Sequence, residues 1–136
     1  MGVISKDGNQ IKLYFNSNNS VHKQTYAYAV STTKQFLGMD TAKQKVTGTQ
    51  WAELADGLGV DIADLIDTSH TDFIKEYGKD VNMEDHDWLK VLEKHPETLT
   101  HPIAIIGEAY YRIKSPSDFI QYLEPDSVGK PKPYKE

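Results

Sequence analysis

No cysteine occurs among the 136 residues, and arginine occurs once, at Arg112. The first absence excludes disulfides, thiol nucleophiles and thiolate metal sites together. The second removes most of the planar guanidinium forks that clamp carboxylates and phosphates. An excess of positive charge is missing too: 15 basic residues face 20 acidic ones, for a net charge of −5. That balance argues against nucleic acid or an anionic membrane as partner, since both select a basic face. No apolar run approaches the roughly 20 residues that span a bilayer, and no signal peptide opens the chain, so a soluble, cytoplasmic protein is expected. Met1-Gly2 resembles a lipidation start, but Lys6 stands where Ser or Thr is needed. Metal templates are lacking as well. His70, His86, His95 and His101 fit no His-Glu-x-x-His spacing, and Glu84-Asp85-His86-Asp87 lacks the alternating oxygen ligands and the glycine of a calcium loop.

What is present has a clear order. Ile11 to Phe15 alternates like a strand and runs into the polar turn Asn16-Ser17-Asn18-Asn19-Ser20, after which Val21 to Gln35 reads as a helix. Gly38 suits the left-handed residue that closes such a helix. A poor strand is expected over Ala42 to Val46, where Lys43 and Lys45 would make a charged sheet edge that resists pairing with other molecules. Residues 49–99 read as helical throughout. Trp51, Leu54 and Leu58 form one stripe ending at Gly59; Asp61 caps a short helix with Ile62, Leu65 and Ile66; Phe73, Ile74 and Tyr77 precede Gly78; and Trp88, Leu89 and Leu92 precede Pro96. Trp51 and Trp88 are read as core residues. Ile103 to Ile106 is a continuous apolar run, as in a strand buried on both faces, and Gly107-Glu108 turns it into Ala109 to Ile113. Ser115-Pro116-Ser117-Asp118 opens a last helix carrying Phe119, Ile120 and Leu123. One domain is expected over residues 1–124, followed by an extended polar tail over 125–136.

This order describes an α/β, thioredoxin-like fold: a four-stranded mixed sheet with a helical insertion between strands 2 and 3. Asn16 at the loop start, the stretch Leu58-Gly59-Val60-Asp61-Ile62-Ala63-Asp64-Leu65-Ile66, and His101-Pro102-Ile103 leading into the buried strand carry a more specific likeness. Over residues 11 to about 124 the chain resembles the glutaredoxin-dependent arsenate reductase (ArsC) and Spx family.

The resemblance implies a functional site that the residues fill poorly. The family's nucleophilic cysteine falls on Asn19, and the arginine before the strand proline falls on His101. Two further family arginines fall near Asp67 and near Lys114. The resemblance also implies a cis bond at Pro102, facing the loop, and makes glutathione the only cofactor to consider; otherwise none is expected. The ligand-binding candidates are therefore Asn16, Asn19, Ser20, His22, His101, Pro102 and Lys114. The N–H groups of Asn19 to His22 would form a shallow, salt-sensitive anion site at the helix start. The free backbone edge at Thr100 and His101 would take an extended peptide. Ser20 has a high-pKa hydroxyl and no evident base. His22 is the best candidate for chemistry, although a solvated histidine in the first helical turn is the simpler reading. The leading expectation is a redox-inactive, monomeric binding module for an unknown protein, an extended peptide, a small ligand or a weakly bound anion. The alternative is an arsenate reductase-type oxidoreductase that uses other residues or a partner's thiol.

Overall fold

The alternation of Ile11, Leu13 and Phe15 with Lys12 and Tyr14 sends two sets of side chains to opposite faces of strand β1, Gln10–Phe15. The computed structural model describes residues 10–31 and 35–118. In it β1 is an inner strand of a four-stranded sheet of order β2-β1-β3-β4. It runs parallel to β2 (Gln35–Asp40) and antiparallel to β3 (Ile103–Ile106), which forms a hairpin with β4 (Ala109–Arg112). One face buries Ile11, Leu13, Phe15, Ala104 and Ile113 with Ala29 of helix α1, Ser20–Val30.

On the other face, Tyr14, Ile103 and Ile105 pack on the helical insertion. That insertion consists of α2 (Gly48–Leu58), a 3-10 turn at Ile62–Leu65, α3 (Thr71–Tyr77), α4 (Asp85–Lys94) and a second 3-10 turn at Pro96–Thr98. Trp51, Leu54, Phe73, Val91 and Leu92 are fully buried there, and Trp88 nearly so, which makes both tryptophans core residues. The stops follow the sequence signals. Gly59 closes α2 in the left-handed region at φ 71°, and at the first 3-10 turn the Asp64 carboxylate accepts from the Asp61 amide at 3.1 Å while the Asp64 amide donates to the Asp61 carbonyl at 3.0 Å. No helix of the described residues is long and apolar enough to cross a membrane.

Two expectations are corrected. The first helix ends at Val30 rather than Gln35, and the second strand is Gln35–Asp40 rather than Ala42 to Val46. Gly38 is thus a strand residue rather than a helix terminator. It lies under the Tyr26 ring, where a Cβ would sit 3.0 Å from the ring edge. Tyr26 in turn stacks on Phe15 at 4.6 Å and meets Phe36 at 5.7 Å. Lys43 and Lys45 lie beyond the strand, in a turn where the amides of Lys43 and Gln44 both donate to the Asp40 carbonyl. Of the last expected helix, the Ser115 cap is described: the Asp118 amide donates to both the hydroxyl and the carbonyl of Ser115. Phe119 to Leu123 and the 125–136 tail lie outside the described residues.

The insertion meets β4 closely at Gly57, where a Cβ would stand 2.6 Å from the Tyr110 ring. Gly57→Ala is expected to lower stability by about 1–3 kcal/mol through overpacking, although alanine is the better helix former. Urea unfolding would measure it, and a stabilised variant would show that the ring shifts freely.

Candidate functional site

The loop between β1 and α1 is built around Asn16, whose residue is 1% exposed. Its side chain donates to Thr41 Oγ1 at 3.0 Å and accepts from the Asn18 amide at 2.9 Å, while its carbonyl accepts from the Asn19 amide at 3.0 Å. Asp40, at the end of β2, supports the same loop by accepting from the Ser17 and Ala42 amides, each at 3.0 Å. Burial alone would raise the Asp40 carboxyl, but these donors and the Lys43 charge hold it below the usual carboxylate range.

Asn19 is the N-cap of α1. Its side-chain oxygen accepts from the amides of Val21 at 2.9 Å and His22 at 3.2 Å, and its carbonyl accepts from Lys23. This corrects the expected anion site. Three of the four amides that would face an oxyanion are taken up within the chain, those of Val21 and His22 by the Asn19 side chain and that of Asn19 by the Asn16 carbonyl, as at a capped helix end. Ser20 is exposed and joins none of these contacts.

His22 is not a solvated surface residue. It is fully buried, with Nδ1 accepting from the Asn16 amide at 3.0 Å and Nε2 3.3 Å from the Thr100 carbonyl. Because Nδ1 accepts, the proton sits on Nε2 and donates to Thr100. Burial pushes the imidazole down to about 4; the Thr100 carbonyl opposes this, and the neighbouring His101 adds to it. With Nδ1 taken up by the Asn16 amide and Nε2 by the Thr100 carbonyl, the ring has no free lone pair with which to activate Ser20. His22 is a strut between the loop and the segment that leads into β3.

That segment also differs from expectation. No cis peptide bond occurs among the described residues, so His101-Pro102 is trans. Its backbone is committed along this course: the Thr100 amide donates to the Leu65 carbonyl, and the Ile113 amide donates to the Pro102 carbonyl. Ile66 bridges Leu99, and the Asp67 amide donates to Thr98 at 2.7 Å. At Thr100 the edge expected to be free for a peptide is therefore already paired, its amide by the Leu65 carbonyl and its carbonyl by His22.

What remains open is a set of side chains. His101 stands near Arg112 and Lys114, whose charges add to burial in pushing its imidazole down, while Asp67 acts the other way. Thr100 Oγ1, His101 Nδ1 and Arg112 Nε are buried without a hydrogen-bond partner, although Arg112 also donates from its other end to the Asp64 carbonyl at 2.9 Å. The structure thus joins Asn16, Asn19 and His22 in one network, ties it through Thr100 to His101 and Pro102, and sets Lys114 beside His101. Arg112 was missed as a site residue by sequence reasoning, and Thr100 was expected there only as part of a free backbone edge. As the single arginine of the chain, Arg112 carried a signal that could have found it. Among the described residues no three His, Asp or Glu side chains converge as metal ligands would.

A mixed β2-β1-β3-β4 sheet with a helical insertion before the closing hairpin is the thioredoxin-like fold of arsenate reductase-like proteins. The particular likenesses are to solved structures. An arsenate reductase from Vibrio cholerae superposes with a TM-score of 0.71 at 13% identity, covering 85% of this chain and 98% of that one. An arsenate reductase (ArsC) related protein from Brucella melitensis superposes at 0.60 with 12% identity, covering 87% and 98%. No family model matches the sequence. No curated protein matches it. At such identities the likeness establishes the fold.

Proposed function

We propose that this protein is a redox-inactive relative of the arsenate reductases that works as a binding module, holding an anionic group of a protein or small ligand beside His101, Arg112 and Lys114. The observation that carries this reading is the set of buried, unpartnered polar atoms on Thr100, His101 and Arg112, next to the Lys114 charge. Buried donors and acceptors left without partners are costly and rare, and a ligand is one way of satisfying them. The state of the loop supports the same reading. The place of a nucleophile is filled by Asn19, whose oxygen already binds the helix donors, so the loop is a closed structural unit rather than a reactive one.

NMR titration of the whole protein with phosphate, with glutathione and with a short acidic peptide tests the proposal. Shifts are expected at the amides of Thr100, His101, Ile113 and Lys114, weak and reduced by salt because one arginine and one lysine stand in place of several guanidinium forks. Arg112→Gln is expected to weaken binding about tenfold, in line with loss of a charge-assisted hydrogen bond. Shifts absent at these residues, or centred on Ser17 to Ser20, would remove the reading.

A further inference from the structure

The five large hydrophobic side chains exposed among the described residues, Val21, Tyr26, Tyr28, Val30 and Leu37, all lie on α1 or on the edge strand β2. Three of them border one seam. Tyr26 leans over Phe36 and Gly38 from α1, and Val30 follows it four residues later on the same side of the helix. Leu37, opposite Lys12 in the β1 register, emerges on the other face of the sheet with 41% exposure.

Edge strands are ordinarily guarded by charge, proline or a bulge. Here Gln35-Phe36-Leu37-Gly38-Met39 carries neither charge nor proline, and the lysines that would guard it, Lys43 and Lys45, fall beyond the strand. The one charge at its end, Asp40, is turned onto the Ser17 and Ala42 amides.

We infer that β2 pairs antiparallel with β2 of a second copy of this chain, making a continuous eight-stranded sheet across a two-fold axis. The occupant follows from the strand's match to itself. With Leu37 opposite Leu37 of the second copy, Phe36 meets Gly38 and no like charges are opposed along the strand, in a chain whose net charge of −5 disfavours self-contact elsewhere. A two-fold axis normal to the sheet keeps both α1 helices on one face, where Tyr26 and Val30 of each copy flank the seam, and brings the two Leu37 side chains together on the other. Each contact occurs twice, as in any isologous interface. Six-residue strands and three side chains per copy make a small interface, in the weak class below about 1,200 Å².

Sedimentation equilibrium of the full chain, with amide hydrogen exchange at the same loadings, tests this. Between about 10 µM and about 1 mM the apparent mass is expected to rise from 15.4 kDa toward twice that value, with the outward-pointing amides of β2 exchanging more slowly as loading rises. Leu37→Lys and, separately, Val30→Glu are expected to weaken association at least about tenfold while leaving thermal unfolding of the dilute monomer unchanged, since both side chains are exposed. A mass fixed at one chain throughout would overturn the inference. So would β2 amides protected equally at every loading, which would mean that the chain's own residues cover the edge. Both variants associating like the wild type would assign the contact to another surface.

Discussion

Purified protein supplied with arsenate, glutathione and glutaredoxin is expected to show no reduction above the protein-free rate, and Asn19→Cys is expected to change this little. Thiol exchange requires a sulfur nucleophile, and this chain has none. The variant acquires a thiol at the N-terminus of α1, and removing the Asn19 oxygen frees the Val21 and His22 amides to stabilise its thiolate. It should therefore be alkylated readily by iodoacetamide, at a cost of about 1 kcal/mol in stability from the lost cap. Turnover needs more. The arsenate oxyanion must be held against the thiolate by cationic donors, each worth about 10²–10³ in rate. The positions where the resemblance implies arginine hold Asp67, His101 and Lys114, and the His101 imidazole is pushed toward neutrality. Two missing donors place the variant about 10⁴-fold or more below a complete site. Arginines introduced at positions 67, 101 and 114 in the Asn19→Cys background are expected to recover part of the deficit. Robust turnover by the wild type would end the redox-inactive reading, and robust turnover by the single variant would show that Arg112 and Lys114 suffice to bind the anion.

The second large effect concerns acid. In the folded chain the His22 imidazole is held down to about 4, against an ordinary value of 6.5. Above pH 6.5 it is neutral in both the folded and unfolded chains and contributes no pH dependence. As pH falls from 6.5 toward 4, the unfolded chain takes up a proton that the folded chain refuses, so stability declines across that window by about 3 kcal/mol in all. The loss should appear in urea unfolding at a series of pH values. His22→Gln removes the titrating ring and, at about pH 7.5, is expected to cost about 1–3 kcal/mol, because the Asn16 amide and the Thr100 carbonyl lose their partner. The decisive quantity is the difference between wild type and variant, which subtracts every other titrating group. A difference that stays constant from about pH 7.5 to about pH 4.5 would show that His22 titrates alike in both states.

These effects mark where the sequence was legible. The stripes of α2 and α4, the Gly59 stop, the Asp61 cap and the buried Ile103 to Ile106 run could be read because periodicity and capping act within a few residues. β2 could not. Gly38 after a helical pattern looks like a local terminator, and only the Tyr26 ring packed over it explains a strand glycine. The site was legible at Asn16 and Asn19, whose bonds are nearly all local, and opaque at His22. A histidine in a first helical turn gives no hint of burial, because one of its partners is six residues back and the other 78 residues ahead. The paired edge at residues 65–67 and 98–100 was hidden for the same reason: cross-strand partners far apart in sequence leave no periodic trace.

That separation of 78 residues also bears on how the protein comes into being. β1 needs β3 to complete its pairing, and β3 follows the whole insertion, so loop closure delays the sheet relative to the local contacts of α2 and α4. During synthesis the chain up to about residue 98 can gather its insertion helices while His22 still lacks the Thr100 carbonyl. Until that acceptor emerges, the ring has no carbonyl to fix its proton on Nε2 and remains a solvated base of ordinary strength. The β1–α1 loop therefore locks late, when the C-terminal third is in place, and a chain truncated before Thr100 would carry the sequence of the site without its architecture.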